Sequence, residues 1–165
     1  MLRISLFLLF LFASFLYSFT GVGEGASAVS EVKHVAKPDL CAELFRDMQL
    51  EGKVNYTAFR QAVTGYYRIT QRKRDILTLI DFSKPSTEKR LYVFDMKEKK
   101  MLFSSVVAHG KNSGGVYATS FSNEYGSYKS SLGFYLTAST YQGKNGYSLI
   151  LDGLEKGIND RARER

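Results

Sequence analysis

Few residues of this chain are suited to nucleophilic or acid–base chemistry. There is one cysteine, Cys41, and there are two histidines, His34 and His109. His109 stands in VVAHGKNSGG, residues 106–115, where an apolar run drops into a glycine-rich turn. A histidine so placed is suited to proton transfer or to hydrogen bonding with a substrate, although a loop histidine with only local partners is the commoner arrangement. Cys41 lies far upstream, so the sequence offers no local pairing of thiol and imidazole. H-E-x-x-H, C-x-x-C and G-x-S-x-G patterns are absent. Two distant histidines and one cysteine make a poor metal-ligand set, and one cysteine cannot close an intramolecular disulfide. Serine and aspartate are plentiful, but no spacing among them singles out a Ser-His-Asp constellation. The expectation for Cys41 is a small buried hydrophobe on a helix, not a nucleophile.

The elements that position these groups are bounded by size and composition. A chain of 165 residues, 44% hydrophobic and 24% charged, suits one globular domain. Lys and Arg number 23 against 16 Asp and Glu, a net charge of +7, which favours acidic partners. No Lys/Arg block alternates with aromatics as a base-stacking platform requires, which argues against nucleic acid. The first residues explain where the chain works. Arg3, the apolar run Ile4 to Phe19 and the small-residue site Ala26-Ser27-Ala28 read as a secretory signal peptide over residues 1–28. Export to the periplasm or cell envelope follows, with no membrane anchor once the signal is cleaved.

Residues 29–75 read as a linker and a helical region. Asp39 is placed to cap a helix whose face carries Leu40, Leu44, Phe45 and Met48, ended by Gly52. Phe59, Ala62, Val63, Tyr66 and Tyr67 form the stripe of a second helix, capped by Asn55 or Thr57. QRKRD, residues 71–75, reads as a solvated connection. From Ile76 the period becomes that of strands. ILTLIDF is one strand; RLYVFDM and MLFSSVVA flank KEKK as a hairpin; GFYLTAST and YSLILD flank YQGKNG, where Asn145-Gly146 is a hairpin-turn signal. Two helices followed by about five antiparallel strands predict an α+β, mainly β domain over residues 76–165, a sandwich or partial barrel with helices at one side. Five strands and a long polar loop leave sheet edges open, so the domain is expected to continue past Arg165.

The blocks DFSKPSTEKRLYV, VAHGKNSG, YATSFSN, SSLGFYLT, GKNGYSL and LDGLEKG, in this order, resemble the murein L,D-transpeptidase catalytic-domain family, the YkuD-like group. The resemblance is close from Leu77 to Arg165 and looser over the helices. It implies an exported enzyme whose cysteine thiolate attacks an L,D-amide bond of a peptidoglycan stem peptide. The acyl group then passes to an amine of another stem or to water. The thiolate is paired with a histidine, and backbone N–H groups hold the oxyanion. Neither a metal nor an organic cofactor is implied, and the partners are peptidoglycan stem peptides. The oligomeric state is left open.

In the family the catalytic His-Gly and Ser-x-Gly-Cys elements follow the segment that matches GLEKGINDRARER. The expectation is therefore a C-terminally truncated member, inactive as it stands, with no catalytic residue among residues 1–165. His109-Gly110 imitates the catalytic pair but belongs to the earlier VAHG block. His109, Gly110, Ser113, Ser130, Gly133 and Tyr135 are the expected substrate-contacting residues. The alternative is a non-catalytic envelope protein that binds peptidoglycan through its positive charge and exposed Tyr and Ser residues.

Overall fold

The computed structural model describes residues 39–164 apart from Asn145. The expected signal segment, His34, Pro38 and the Asn145 half of the hairpin signal lie outside the described residues.

Helix α1 spans Leu40–Asp47, and its N-cap Asp39 accepts the Cys41 N–H at 3.0 Å. Leu44 and Phe45 are buried, whereas Leu40, expected on the same face, is 48% exposed because it opens the helix ahead of the packed turn. The helix ends at a Met48 C-cap, before Gly52; that glycine shapes the following loop instead. Helix α2 spans Tyr56–Arg68, capped by Asn55, whose side chain accepts from Ala58 N at 3.1 Å. Phe59, Ala62, Val63 and Tyr66 are buried. Tyr67 is exposed, since at ~100° per residue it falls about 80° round the helix from Phe59. QRKRD is only partly the solvated connection expected. Arg72 donates to the carbonyls of Tyr66 and Ile69, stacks over the Tyr66 ring at 4.3 Å, and thereby caps α2. Asp75 accepts the Tyr66 hydroxyl at 2.6 Å.

Five antiparallel strands follow: β1 (Ile76–Ile80), β2 (Leu91–Asp95), β3 (Lys100–Ser105), β4 (Tyr135–Gly143) and β5 (Gly146–Gly153). They form a three-stranded sheet in the order β1-β2-β3 and a separate two-stranded sheet of β4 and β5. Among the described residues no barrel closes, and the class is α+β, mainly β. The β2–β3 turn is tighter than KEKK suggests: Lys100 already belongs to β3 and pairs with Asp95. A bulge between Val93 and Phe94 interrupts this ladder. The β4–β5 hairpin closes with Gly143 opposite Gly146.

Strand β2 alternates with period two, so Tyr92 and Phe94 turn inward, flanked in the same period by buried Arg90 and Met96. The core lies between this face and the two helices. Phe45, Phe59 and Phe94 meet edge to face with centroids 5.4 Å apart at each step, the geometry favoured by aromatic quadrupoles. Between β3 and β4 the chain runs from residue 106 to residue 134 without a strand or helix, which is longer than a mere connection needs.

Candidate functional site

The site begins where the inward face of β2 changes from apolar to charged. Arg90 has no solvent exposure, so each of its donors requires a partner. Its Nη1 donates to the Lys84 carbonyl at 3.0 Å. Nε and Nη2 donate to the Val107 carbonyl at 3.0 and 2.8 Å. Nη2 also lies 2.8 Å from His109 Nδ1. The guanidinium sits 5.1 Å from the Phe82 ring centroid. Burial pushes the Arg90 pKa below the ordinary arginine value, and the charge of Asp81 works in the opposite direction; an arginine remains charged under such conditions.

This contact decides the state of His109. Arginine only donates, so Nδ1 must accept and the imidazole proton sits on Nε2. Nε2 is 3.4 Å from the Gly114 carbonyl, a long approach that leaves most of its donor capacity unused. The ring meets Phe82 edge-on at 6.5 Å.

The glycine after it is required by close packing. A Cβ at Gly110 would come within 2.7 Å of Ser130 N, while the Gly110 N–H donates to Ser130 Oγ at 3.0 Å. Ser113 is fully buried. Its Oγ accepts from Ser130 N at 2.8 Å, and its carbonyl accepts from Thr119 N and Ser120 N at 2.8 and 2.9 Å. Three of the six expected contact residues, Gly110, Ser113 and Ser130, therefore form one network, and His109 adjoins it in sequence while its ring is held by Arg90. Within the network the Ser113 and Ser130 hydroxyls are engaged by backbone amides, and beside it His109 offers the spare donor.

Gly133 and Tyr135 belong to a second network. Gly133 has φ +108°, and a Cβ there would collide with the Glu155 carboxylate. That carboxylate accepts the Phe134 N–H at 2.7 Å. Asn159, fully buried, donates to the carbonyls of Leu132 and Phe134 at 3.1 and 3.0 Å and accepts from Glu155 N at 2.8 Å. The Tyr135 hydroxyl bonds to Ser131 through both Oγ, at 2.5 Å, and the carbonyl, at 3.0 Å.

Cys41 stands apart from both networks, half-buried at the start of α1. Its thiol pKa is raised, first by burial and then by the Asp39 carboxylate, while Arg60 and Thr64 pull weakly the other way. Burial and the Asp39 carboxylate both disfavour the thiolate, which is the form that attacks.

Sequence reasoning did not find Arg90, Glu155 or Asn159. Asp81 was also missed: it is buried, with Oδ1 accepting from Ser83 N and Oγ at 3.0 and 2.6 Å and Oδ2 unpartnered among the described residues. The only signal available was a charged residue in phase with the buried positions of β2.

A model of the L,D-transpeptidase catalytic domain matches residues 50–165, which takes in α2, all five strands and both networks. The chain belongs to this family. L,D-transpeptidases act on peptidoglycan in the cell envelope. No curated protein and no solved structure gives a match. Among the described residues no helix is long and apolar enough to cross a membrane.

Proposed function

We propose that this chain forms the substrate-side scaffold of an exported peptidoglycan L,D-transpeptidase, working in the periplasm or cell envelope, and that the reacting thiol is not Cys41. The reaction is acyl transfer. A thiolate attacks the L,D-amide carbonyl, the amine departs with a proton, and the resulting thioester passes its acyl group to the amine of a second stem peptide or to water. The family match over residues 50–165 carries this reading. The geometry adds a role for His109. With Nδ1 committed to Arg90, its Nε2–H is aimed by a buried cation and offers a neutral donor to a stem-peptide carbonyl. Gly110, Ser113, Ser130, Gly133 and Tyr135 are, on this reading, the further substrate-contacting residues.

On this reading the 165-residue polypeptide binds stem peptides, and Cys41 takes no part in their turnover. The test joins mass spectrometry to titration. Incubation with a carbapenem is expected to leave the mass of the chain unchanged, while a stem tetrapeptide shifts the NMR resonances of residues 109–114. A covalent adduct on Cys41, or cross-linked product made by the chain alone, overturns the assignment of the nucleophile. Retention of the chain on intact sacculi, with no shift of residues 109–114 by the tetrapeptide, moves the conclusion to the non-catalytic peptidoglycan-binding protein.

A further inference from the structure

A cleft opens beside the 84–92 segment, between it, the α1–α2 loop and β3. Its volume is about 370 Å³, and it is lined by Lys53, Lys84, Lys89, Tyr92, Met101 and Ser104, with Glu88 at its edge. Its construction turns on one hydroxyl. Tyr92 is 2% exposed, and its Oη lies 2.7 Å from the Lys89 carbonyl and 3.1 Å from the Lys53 carbonyl. The same oxygen accepts from Lys84 Nζ at 3.1 Å. A single buried phenol thus ties the backbone of the α1–α2 loop to that of the 84–89 segment and holds the Lys84 ammonium. None of the three lysines makes an ion pair among the described residues. Glu88 offsets one of the three charges, which leaves an excess of two. The Tyr92 hydrogen bond raises the Lys84 pKa above the usual lysine value, against the effect of burial.

We infer that this cleft is an oxyanion-binding site of the phosphate class. Three lysines line the cleft, with the Lys84 ammonium fixed on the Tyr92 hydroxyl, and flexible point charges of this kind suit a tetrahedral anion with several free oxygens. The planar fork that would select a lone carboxylate is missing, since no arginine lines the cleft. The phosphate is supplied either by a lipid headgroup at the membrane surface or by a soluble phosphate ester. The site does not depend on the acyl-transfer reading.

The experiment is an NMR titration of the 165-residue chain with inorganic phosphate, repeated with vesicles of phosphatidylcholine alone and with added phosphatidic acid. Saturable shifts at Lys84, Lys89 and Tyr92 are expected. Lys84→Met should weaken binding about tenfold, the loss of one close charge pair. Glu88→Gln should tighten it several-fold, and Lys156→Met, which removes an equal charge elsewhere on the surface, should leave it unchanged. Recruitment to phosphatidic acid vesicles that Lys84→Met abolishes assigns the phosphate to a headgroup; binding of free phosphate without recruitment assigns it to a soluble ester. Both uphold the site. The inference fails if neither probe binds saturably, or if Lys84→Met and Lys156→Met weaken binding equally, because the effect is then one of net charge alone.

Discussion

The helices packed on β1–β3 and the segment from Val106 to Glu164 are held together by different forces. In the first region the buried side chains from Leu44 to Met96 are hydrophobic apart from Asp81 and Arg90. In the second the buried side chains are Ser113, Ser131 and Asn159, with Ala118 as the apolar exception. Apolar burial is non-directional and scales with area, at about 25 cal/mol per Å². A net hydrogen bond contributes only about 1 kcal/mol but fixes geometry, and leaving it unmade is costly. The first region therefore supplies stability, and the second holds a defined shape over a long strandless loop. Arg90 joins them: it continues the inward face of β2 and ends among the carbonyls that carry His109. A family whose chemistry needs a positioned loop on a rigid base is well served by that division.

The largest loss of stability is expected in the hydrophobic half. Phe94→Ala removes a fully buried ring that meets Phe59 edge to face, and a loss of about 3–5 kcal/mol in denaturant unfolding is expected. A loss under about 1 kcal/mol would show that the helices do not depend on this contact. Next comes the junction. Arg90→Met leaves the Lys84 and Val107 carbonyls without their donors and should cost about 2–4 kcal/mol. Stability alone does not separate positioning from packing, so the second readout is the nitrogen spectrum of His109. The wild-type ring should show an unprotonated Nδ1 and a protonated Nε2; in Arg90→Met the two tautomers should mix. An unchanged spectrum would remove Arg90 as the group that sets the imidazole proton. Arg90→Lys should not restore the wild-type pattern, because an ammonium cannot reach three acceptors in one plane.

The two regions also differ in how far their residues announce themselves. Both helices, the strand order and both hairpins follow from periodicity and turn chemistry, because each depends on neighbours in sequence. Asp39 and Asn55 act as caps for the same local reason. The misreadings at Leu40 and Tyr67 fall on the margins of amphipathic stripes, where a few tens of degrees decide exposure. Arg90 is different. In KRLYVFD it reads as a flanking charge, and only the return of residues 107–109 across it makes it buried. Asn159 likewise takes its importance from Leu132 and Phe134, more than twenty residues away. The resemblance groups His109, Gly110, Ser113, Ser130, Gly133 and Tyr135, yet the bonds that join Gly110, Ser113 and Ser130, and the one from Arg90 to His109, are not readable from spacing. Polar networks built across loops leave no period behind.

A smaller effect tests the polar half by itself. Asn159→Ala removes two donors to backbone carbonyls and one acceptor, and about 1–3 kcal/mol should be lost. The location of the loss is the informative part. Hydrogen exchange should quicken at residues 131–135 and 153–159 while α1 and α2 keep their protection, as expected of separable cooperative units. Equal acceleration in the helices would mean that the two regions unfold together, and the contrast between them would reduce to composition.

The smallest expected effect is electrostatic and lies at the outer end of that half. Arg163 donates to both oxygens of Asp152, joining the last 3₁₀ turn (Ala162–Glu164) to β5. The Arg163 hydrogen bond lowers the Asp152 pKa below the usual carboxylate value, with partial burial opposing it and the Arg163 charge assisting. A depressed folded-state pKa contributes stability that is fully present above the unfolded value of about 3.9 and is lost as pH falls through the lower folded value. Both groups are solvated, so the contribution is small and weakened by salt. Amide exchange in the last turn should therefore rise as pH is lowered below about 4, after correction for intrinsic rates, and should rise less steeply in high salt. Arg163→Gln should remove the pH dependence while leaving the Asn159 network intact. If the variant keeps the wild-type profile, the acid sensitivity belongs to another carboxylate. Asp160 is then the first to examine, since hydrogen bonds from Asn123 and from the Gly157 N–H lower its pKa in the same direction.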